Sequence, residues 1–131
     1  MPFHGRFVDA IKDGTKDVTR RFTPRHIGTH LRAKVPNGKP RPSQWPGFAD
    51  LVVTDCHSEM LQNIERPYRL TGGAGMRAHL ELELRREGCS SLEEFIEFWD
   101  MVHPNPDRQW DANPRVWRIE FRNEDLGQRV L

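Results

Sequence analysis

The strand-like segments of this chain are short, and irregular stretches rich in proline and glycine separate them. Residues 48–56 have a β-branched, apolar centre inside a turn-rich frame, which predicts a central strand. Residues 116–121 alternate along the chain, and we expect Trp117, Ile119 and Phe121 to face inward. Strands this short and scattered do not build a parallel doubly wound sheet. The pattern therefore predicts an α+β domain, a small, partly closed β-barrel of about five strands with about three flanking helices.

Two segments before residue 90 carry helical patterns. In residues 3–13 apolar residues recur at helical spacing, and Gly14 follows where a left-handed cap is needed. Residues 74–87 are ambiguous, because part of the segment also alternates like a strand. Alanine, leucine, glutamate and arginine dominate there, and these residues favour a helix.

The third helix is the most secure element in the sequence. Ser91 and Glu94 form a capping box, in which a hydroxyl and a carboxylate each accept a hydrogen bond from an otherwise unpaired backbone N–H group. Apolar residues then recur at helical spacing as far as Val102. We expect this apolar stripe to belong to the core.

Length and charge limit the possible partners. The chain has 131 residues, the size of one domain, and we predict a single domain over residues 1–131. Its 20 basic and 19 acidic residues give a formal net charge of +1. Bulk charge therefore does not hold a long polyanion against salt. A nucleic acid would have to be bound locally, by a few well-placed cations.

The cysteines and the hydropathy predict a cytoplasmic protein. Cys56 and Cys89 lack the spacing of a metal or redox motif, and no secretory signal pattern precedes them. The longest apolar run is far below the roughly 18 residues that a membrane span needs. We therefore expect a reducing compartment and no membrane partner.

A metal site is a weak alternative. His26 and His30 are spaced four residues apart, but this spacing binds zinc only on a helix, and Gly28 disfavours a helix there. Exposed loop histidines or phosphate contacts explain the pair better. We predict no metal site and no cofactor.

Residues 14–21 form the most unusual stretch of the chain. They gather Lys16, Arg20 and Arg21 with two threonines directly after the first predicted helix. Strand alternation puts Thr19 and Arg21 on one polar face, with Lys16 at the entry to the strand. Such a face is typical of a site, but cations on an edge strand also discourage aggregation. These residues alone leave both interpretations open.

In the order of its motifs, the chain resembles the ASCH domain, a branch of the PUA-like β-barrel superfamily, over nearly its whole length. Three fragments carry the resemblance. They are Ile11 with Gly14, Lys16, Thr19 and Arg21; Glu87 and Gly88 before Ser91, Glu94 and Phe95; and Trp110 and Asp111 before Val116, Trp117, Ile119 and Phe121. The resemblance implies a barrel cleft and a preference for RNA or nucleoside ligands.

Members of this family differ in activity. Some resemble plain RNA-binding modules, some have been assigned ribonuclease activity, and one group is similar to amidohydrolases that remove an acyl group from the exocyclic nitrogen of cytidine. The resemblance places the catalytic trio of that last group on Lys16, Thr19 and Glu87, with Arg21 beside them. Thr19 would be the nucleophile, Lys16 its base once desolvation or Arg21 lowers its pKa, and Glu87 the acid.

Three features depart from the amidohydrolase pattern. Phe22 stands where that group has an acidic residue, and Asp17 replaces a hydroxyl residue. The loop at residues 36–46, which holds four prolines, is also longer. Loops of this length are functional or mobile.

The competing hypothesis is a binding module for RNA or a modified nucleoside. Such a module uses cations for phosphates and aromatic rings for bases. The candidates are Lys16, Arg20, Arg21 and Arg32 for phosphates, and Trp45 or Tyr68 for a stacked base.

Overall fold

A four-stranded antiparallel sheet, in the order β1-β4-β3-β2, forms the centre of the fold. The computed structural model describes residues 1–65 and 73–127. The strands are β1 (Val18–Arg21), β2 (His30–Lys34), β3 (Gly47–Met60) and β4 (Arg115–Asn123). The sheet curls into a half-barrel, so one concave side is available for a site.

Four α-helices accompany the sheet in these ranges. They are α1 (Val8–Asp13), α2 (Gly73–Glu87), α3 (Leu92–Val102) and α4 (Glu124–Gly127). The α+β class is therefore confirmed. The helix predicted over the ambiguous residues 74–87 is also confirmed, as α2. None of the helices in the described part of the chain has the length and apolar character to cross a bilayer.

The described residues contain four strands, so the expected number of about five is not confirmed. Strand β3 is longer than predicted, since it continues past residue 56 as far as Met60. A register shift between Val53 and Asp55 lets this strand bend while it stays paired with β4. Residues 57–60 thus continue a strand that the sequence predicted only over residues 48–56.

The core lies on both faces of β4, and this corrects one expectation. Ile119 and Phe121 are buried as predicted, but Trp117 is only partly buried. Val116, on the opposite face of the strand, is fully enclosed against Leu61 and other residues of one apolar cluster. Because both faces are covered, simple alternation does not tell which side chain is interior.

The start of α3 follows its predicted cap with one change. Ser91 Oγ accepts a hydrogen bond from the Glu94 N–H at 3.1 Å, as the capping box requires. The Glu94 carboxylate, however, accepts from the Ser90 N–H at 3.2 Å. Arg6 and the Ser90 hydroxyl donate to the same carboxylate. These extra donors draw the carboxylate away from its usual capping position.

Residues 1–3 connect the two edge strands of the sheet. Phe3 N–H donates to Lys34 O at 2.8 Å, and Lys34 N–H donates to Met1 O at 2.9 Å, so the segment runs along β2. Arg21 of β1 reaches the same segment through a 2.7 Å hydrogen bond from Nη2 to Pro2 O. The segment thereby covers the open side of the half-barrel and forms one wall of the cavity described next.

Candidate functional site

A cavity of about 380 Å³ lies between β1, the C-terminal end of α2, α3 and residues 2–4. Its volume is in the range of small-ligand sites. Aromatic rings line much of it: Phe7, Phe95, Phe98 and Trp99. Four buried polar residues also line it: Lys16, Thr19, Arg20 and Glu87. We call Lys16, Thr19 and Glu87 the floor. The more exposed lining residues Arg21, Val102 and His103 form what we call the mouth.

The end of α2 delivers Glu87 to the floor. Gly88 follows in the left-handed conformation, with φ at 86°. Its N–H donates to Arg85 O at 3.0 Å, and Cys89 N–H donates to Leu84 O at 2.8 Å. These two bonds make a Schellman motif, which stops the helix at a defined residue. The side chain of Glu87 therefore has a fixed starting point at the cavity.

Lys16 lies directly against this helix end, with a side chain only 3% exposed. Its Nζ donates to Glu87 O at 2.6 Å, to Val18 O at 2.7 Å and to Glu87 Oε1 at 3.2 Å. The ammonium group thus satisfies an unpaired carbonyl and the negative end of the helix dipole. Burial lowers the pKa of Lys16, the Glu87 carboxylate raises it in part, and the Arg21 charge lowers it again.

Arg20 lies behind Glu87 and holds the second oxygen of its carboxylate. Its Nη1 donates to Glu87 Oε2 at 2.6 Å, Nη2 to Glu83 Oε2 at 2.7 Å and Nε to Glu59 Oε1 at 3.0 Å. The guanidinium group is therefore surrounded by three carboxylates. Through these contacts Arg20 positions the carboxylate of Glu87. The sequence predicted a phosphate contact for Arg20, but its guanidinium group contacts carboxylates instead.

The network continues away from the cavity through Glu83. Arg118 donates to both oxygens of Glu83, at 3.1 Å and 2.5 Å, and also to Glu120 at 2.5 Å. Burial alone would raise the pKa of Glu83, but hydrogen bonds and charge from Arg118 and Arg20 outweigh it and lower the pKa to about 2. Glu83 is therefore an anion that holds two arginines in place.

Thr19 and Arg21 share one face of β1, as alternation predicted. Arg21 Nε donates to Thr19 Oγ1 at 3.0 Å, and the guanidinium lies 5.0 Å from the centre of the Phe3 ring. The Thr19 hydroxyl hydrogen has no acceptor among residues 1–65 and 73–127 and is available to a ligand. Within the described residues Lys16 makes no hydrogen bond to Thr19, and its three protons have other acceptors.

The remaining predicted ligand contacts do not line the cavity. Arg32 pairs with Asp50 at 3.1 Å on a separate, exposed depression of about 290 Å³. Trp45 Nε1 donates to Lys39 O at 2.9 Å within its own loop. Tyr68 lies outside the described residues. The structure thus brings together Lys16 and Glu87 with Thr19, Arg20 and Arg21, but not Arg32 or Trp45.

The two residues that depart from the amidohydrolase pattern have clear positions. Asp17 accepts two hydrogen bonds from Arg86, at 2.8 Å and 3.2 Å, and ties β1 to α2 outside the cavity lining. Phe22 packs its ring against Trp99 and His103. The first departure is thus a structural contact, and the second places an aromatic ring at the mouth.

Sequence reasoning missed the aromatic lining of the cavity. Phe95 and Trp99 lie one helical turn apart on α3, and their stripe was interpreted only as core. The apolar periodicity of α3 shows which side of the helix is buried. It does not show whether that side packs against a core or lines a cavity. Cys89, another lining residue, is not a nucleophile here, because burial raises the pKa of its thiol to about 11.

Comparisons with protein-family models, with curated proteins and with solved structures find no match to this chain. The chemistry of the site must therefore be derived from its own geometry. An aromatic chamber with a hydrogen-bonding floor suits a flat, polar ring. Each Glu87 oxygen accepts one hydrogen bond from a cation and keeps a further lone pair for a ligand, and the Thr19 hydroxyl in the same cavity can donate a hydrogen bond.

Proposed function

We propose that the cavity recognises a nucleobase, carried by a nucleoside or by single-stranded RNA, in an ASCH-type fold of the PUA-like class. The observation that carries the proposal is the combination of aromatic walls with the polar floor. Unpaired bases stack on aromatic rings and are recognised through hydrogen bonds along their edges. Free thiols at Cys56 and Cys89 support the inference that this happens in the cytoplasm.

The floor favours a base that carries an exocyclic amino group. Such a group donates to the Glu87 carboxylate, while a neighbouring ring nitrogen or carbonyl accepts from the Thr19 hydroxyl. Cytosine offers this donor next to an acceptor, whereas uracil presents a carbonyl where cytosine has its amino group. We therefore expect cytidine to bind more tightly than uridine.

The direct test is a titration followed by tryptophan fluorescence, since Trp99 lines the cavity. We expect saturable quenching by cytidine or by short single strands at low salt. Glu87→Gln should weaken cytidine binding by about tenfold or more, the size of one hydrogen bond to a charged group. Arg32→Gln, outside the cavity, serves as the matched control and should leave binding unchanged. Absence of saturable binding for every nucleoside and strand would refute the proposal.

A second candidate function is hydrolysis of acylated cytidine, favoured by the presence of Lys16, Thr19 and Glu87 in one cavity. This reaction requires Lys16 to lose a proton and to turn from its present acceptors toward Thr19. It then takes the Thr19 proton as the Thr19 oxygen attacks the acyl carbon. The carbon–nitrogen bond then breaks, and the proton passes to the leaving nitrogen. Water hydrolyses the acyl-threonine ester and restores the hydroxyl. Lys16, protonated by that transfer, is the proton donor in this scheme. Glu87, the acid that the resemblance implies, holds Lys16 in place through a 3.2 Å hydrogen bond.

Release of cytidine from a panel of acylated cytidines tests this candidate. Activity that disappears in Thr19→Val and returns in Thr19→Ser would support a hydroxyl nucleophile. An inactive wild type across the whole panel would remove hydrolysis and leave base recognition in place. The same RNA titrations, inspected for shortened strands, test the ribonuclease alternative.

A further inference from the structure

Cations that the floor does not use lie close to residues of the mouth. Arg108 lies with its guanidinium 4.6 Å from the centre of the Phe22 ring. Phe22 contacts the His103 ring edge-on, with centroids 5.3 Å apart, and His103 packs on Trp99 at 4.1 Å. This chain of contacts holds an exposed arginine beside the mouth on the α3 side.

A second arginine, Arg25, follows the end of β1 by four residues and is close enough to Arg21 for their charges to interact. Arg25 is exposed, and its charge lowers the pKa of Arg21, after burial and against the opposing effect of Glu87. Arg21 uses Nε and Nη2 for Thr19 and Pro2, and its Nη1 has no hydrogen-bond partner among the described residues. One edge of this guanidinium group is thus available to a ligand at the mouth.

Five arginines of the described residues form salt bridges with carboxylates, but these cations do not. In the described ranges neither Arg25 nor Arg108 forms a salt bridge. His103 is affected as well: burial lowers its pKa, the charges of Arg108 and Arg21 lower it further, and Asp100 partly opposes them. Arg25 and Arg108, together with Arg21, place several positive charges close to His103 and Arg21 at the mouth, and such a group of charges creates a local field that attracts an anion.

We propose that Arg21, Arg25 and Arg108, with His103 between them, form a phosphate subsite at the mouth of the cavity. The ligand is then a nucleotide or an RNA strand, with its base inside and a phosphate outside. Guanidinium groups suit this role, because their planar donors match the oxygens of a phosphate. The inference rests on the proposed recognition of a base and adds the chemical class of its ligand.

The experiment compares cytidine, cytidine 5′-monophosphate and a short cytidine-containing RNA on three proteins. These are the wild type, the double variant Arg25→Gln with Arg108→Gln, and a control double variant, Arg32→Gln with Arg122→Gln. The control removes the same charge from exposed residues outside the cavity lining. All substituted residues are exposed, so thermal unfolding should show that every variant still folds.

For the wild type we expect the monophosphate to bind about tenfold more tightly than cytidine, and the difference to shrink at high salt. The Arg25→Gln, Arg108→Gln variant should lose this difference while it binds cytidine as before, and the control should keep it. If the RNA binds more tightly than the monophosphate, the phosphate belongs to an RNA strand. If the RNA and the monophosphate bind equally tightly, the ligand is a free nucleotide.

Two results would overturn the subsite while base recognition stands. One is equal binding of cytidine and its monophosphate by the wild type. The other is a phosphate advantage that survives loss of both mouth arginines. Failure of all three ligands to bind would instead remove the base-binding function, and the subsite with it.

Discussion

Two arginine–carboxylate contacts in this protein differ mainly in their surroundings. Arg20 and Glu83 meet at 2.7 Å, with side chains 2% and 8% exposed. Arg32 and Asp50 meet at 3.1 Å, with side chains 47% and 57% exposed. Removing one partner of a buried pair leaves an unpaired charge in the interior, whereas an exposed pair is screened by water. Two contacts of similar length can therefore differ greatly in how much the loss of one partner reduces the free energy of unfolding.

The two regions also differ in how closely their stability is linked to the geometry of the cavity. The buried network around Arg20 ends at Glu87 in the cavity floor, so its stability and the geometry of the site depend on the same contacts. In the exposed pair, both Arg32 and Asp50 are in contact with solvent, and neither lines the cavity. Variants of the two regions should therefore differ in stability and in ligand binding together.

The largest effect is expected from Arg20→Met. This change leaves Glu83 and Glu87 without their shared cation and should reduce the free energy of unfolding by about 3–5 kcal/mol. Arg32→Met, the matched change in the exposed pair, should cost no more than about 1 kcal/mol. Denaturant unfolding of both variants measures the difference. Equal losses would mean that burial does not distinguish the two regions.

Acid should weaken the buried network in a predictable window. The pKa of Glu83 is lowered to about 2 from its usual 4.5, so near pH 4 the unfolded chain binds a proton that the folded chain does not. The stabilisation is therefore complete above about pH 4.5 and is lost as pH falls toward 2, by about 3 kcal/mol in total. Unfolding measured between these limits should show a flatter pH dependence for Glu83→Gln. Parallel curves for both proteins would contradict this expectation.

A smaller effect is expected from Gly88→Ala at the helix end. The residue has φ at 86°, and an added Cβ would lie 2.8 Å from Phe7 and 3.2 Å from Lys16. Backbone strain and this contact should together cost about 1–3 kcal/mol and weaken ligand binding, because Lys16 and Glu87 must shift.

Gly38→Ala is the control for this prediction. Its φ is 84°, but nothing lies within 4 Å of the added Cβ, so only the backbone term applies. Thermal unfolding and the cytidine titration of both variants separate the two causes. Backbone strain acts in both variants, whereas the contact with Phe7 and Lys16 acts only in Gly88→Ala. If Gly38→Ala proved as harmful as Gly88→Ala, the close packing of the floor would not be the cause.

The sequence predicted local features with more success than their surroundings. The cap at Ser91 and the stop at Gly14 depend on a few neighbouring residues, and the structure contains both. The pairing of Lys16 with Glu87 was expected only through the resemblance to a family, since 71 positions separate them. Arg20 was assigned to the wrong surroundings, because strand alternation gives the face of a side chain and not what covers that face.

By itself, the amino-acid sequence determined the end of the first helix at Gly14 and the start of α3 at Ser91, because capping, turn residues and apolar periodicity act over a few residues. It also determined that a cationic, hydroxyl-bearing strand follows the first helix. Only the tertiary structure decided which of those cations are buried against carboxylates and which reach the mouth of a cavity. The reason is that burial and charge pairing arise between distant segments, and these interactions exist only once α2 and α3 pack beside β1.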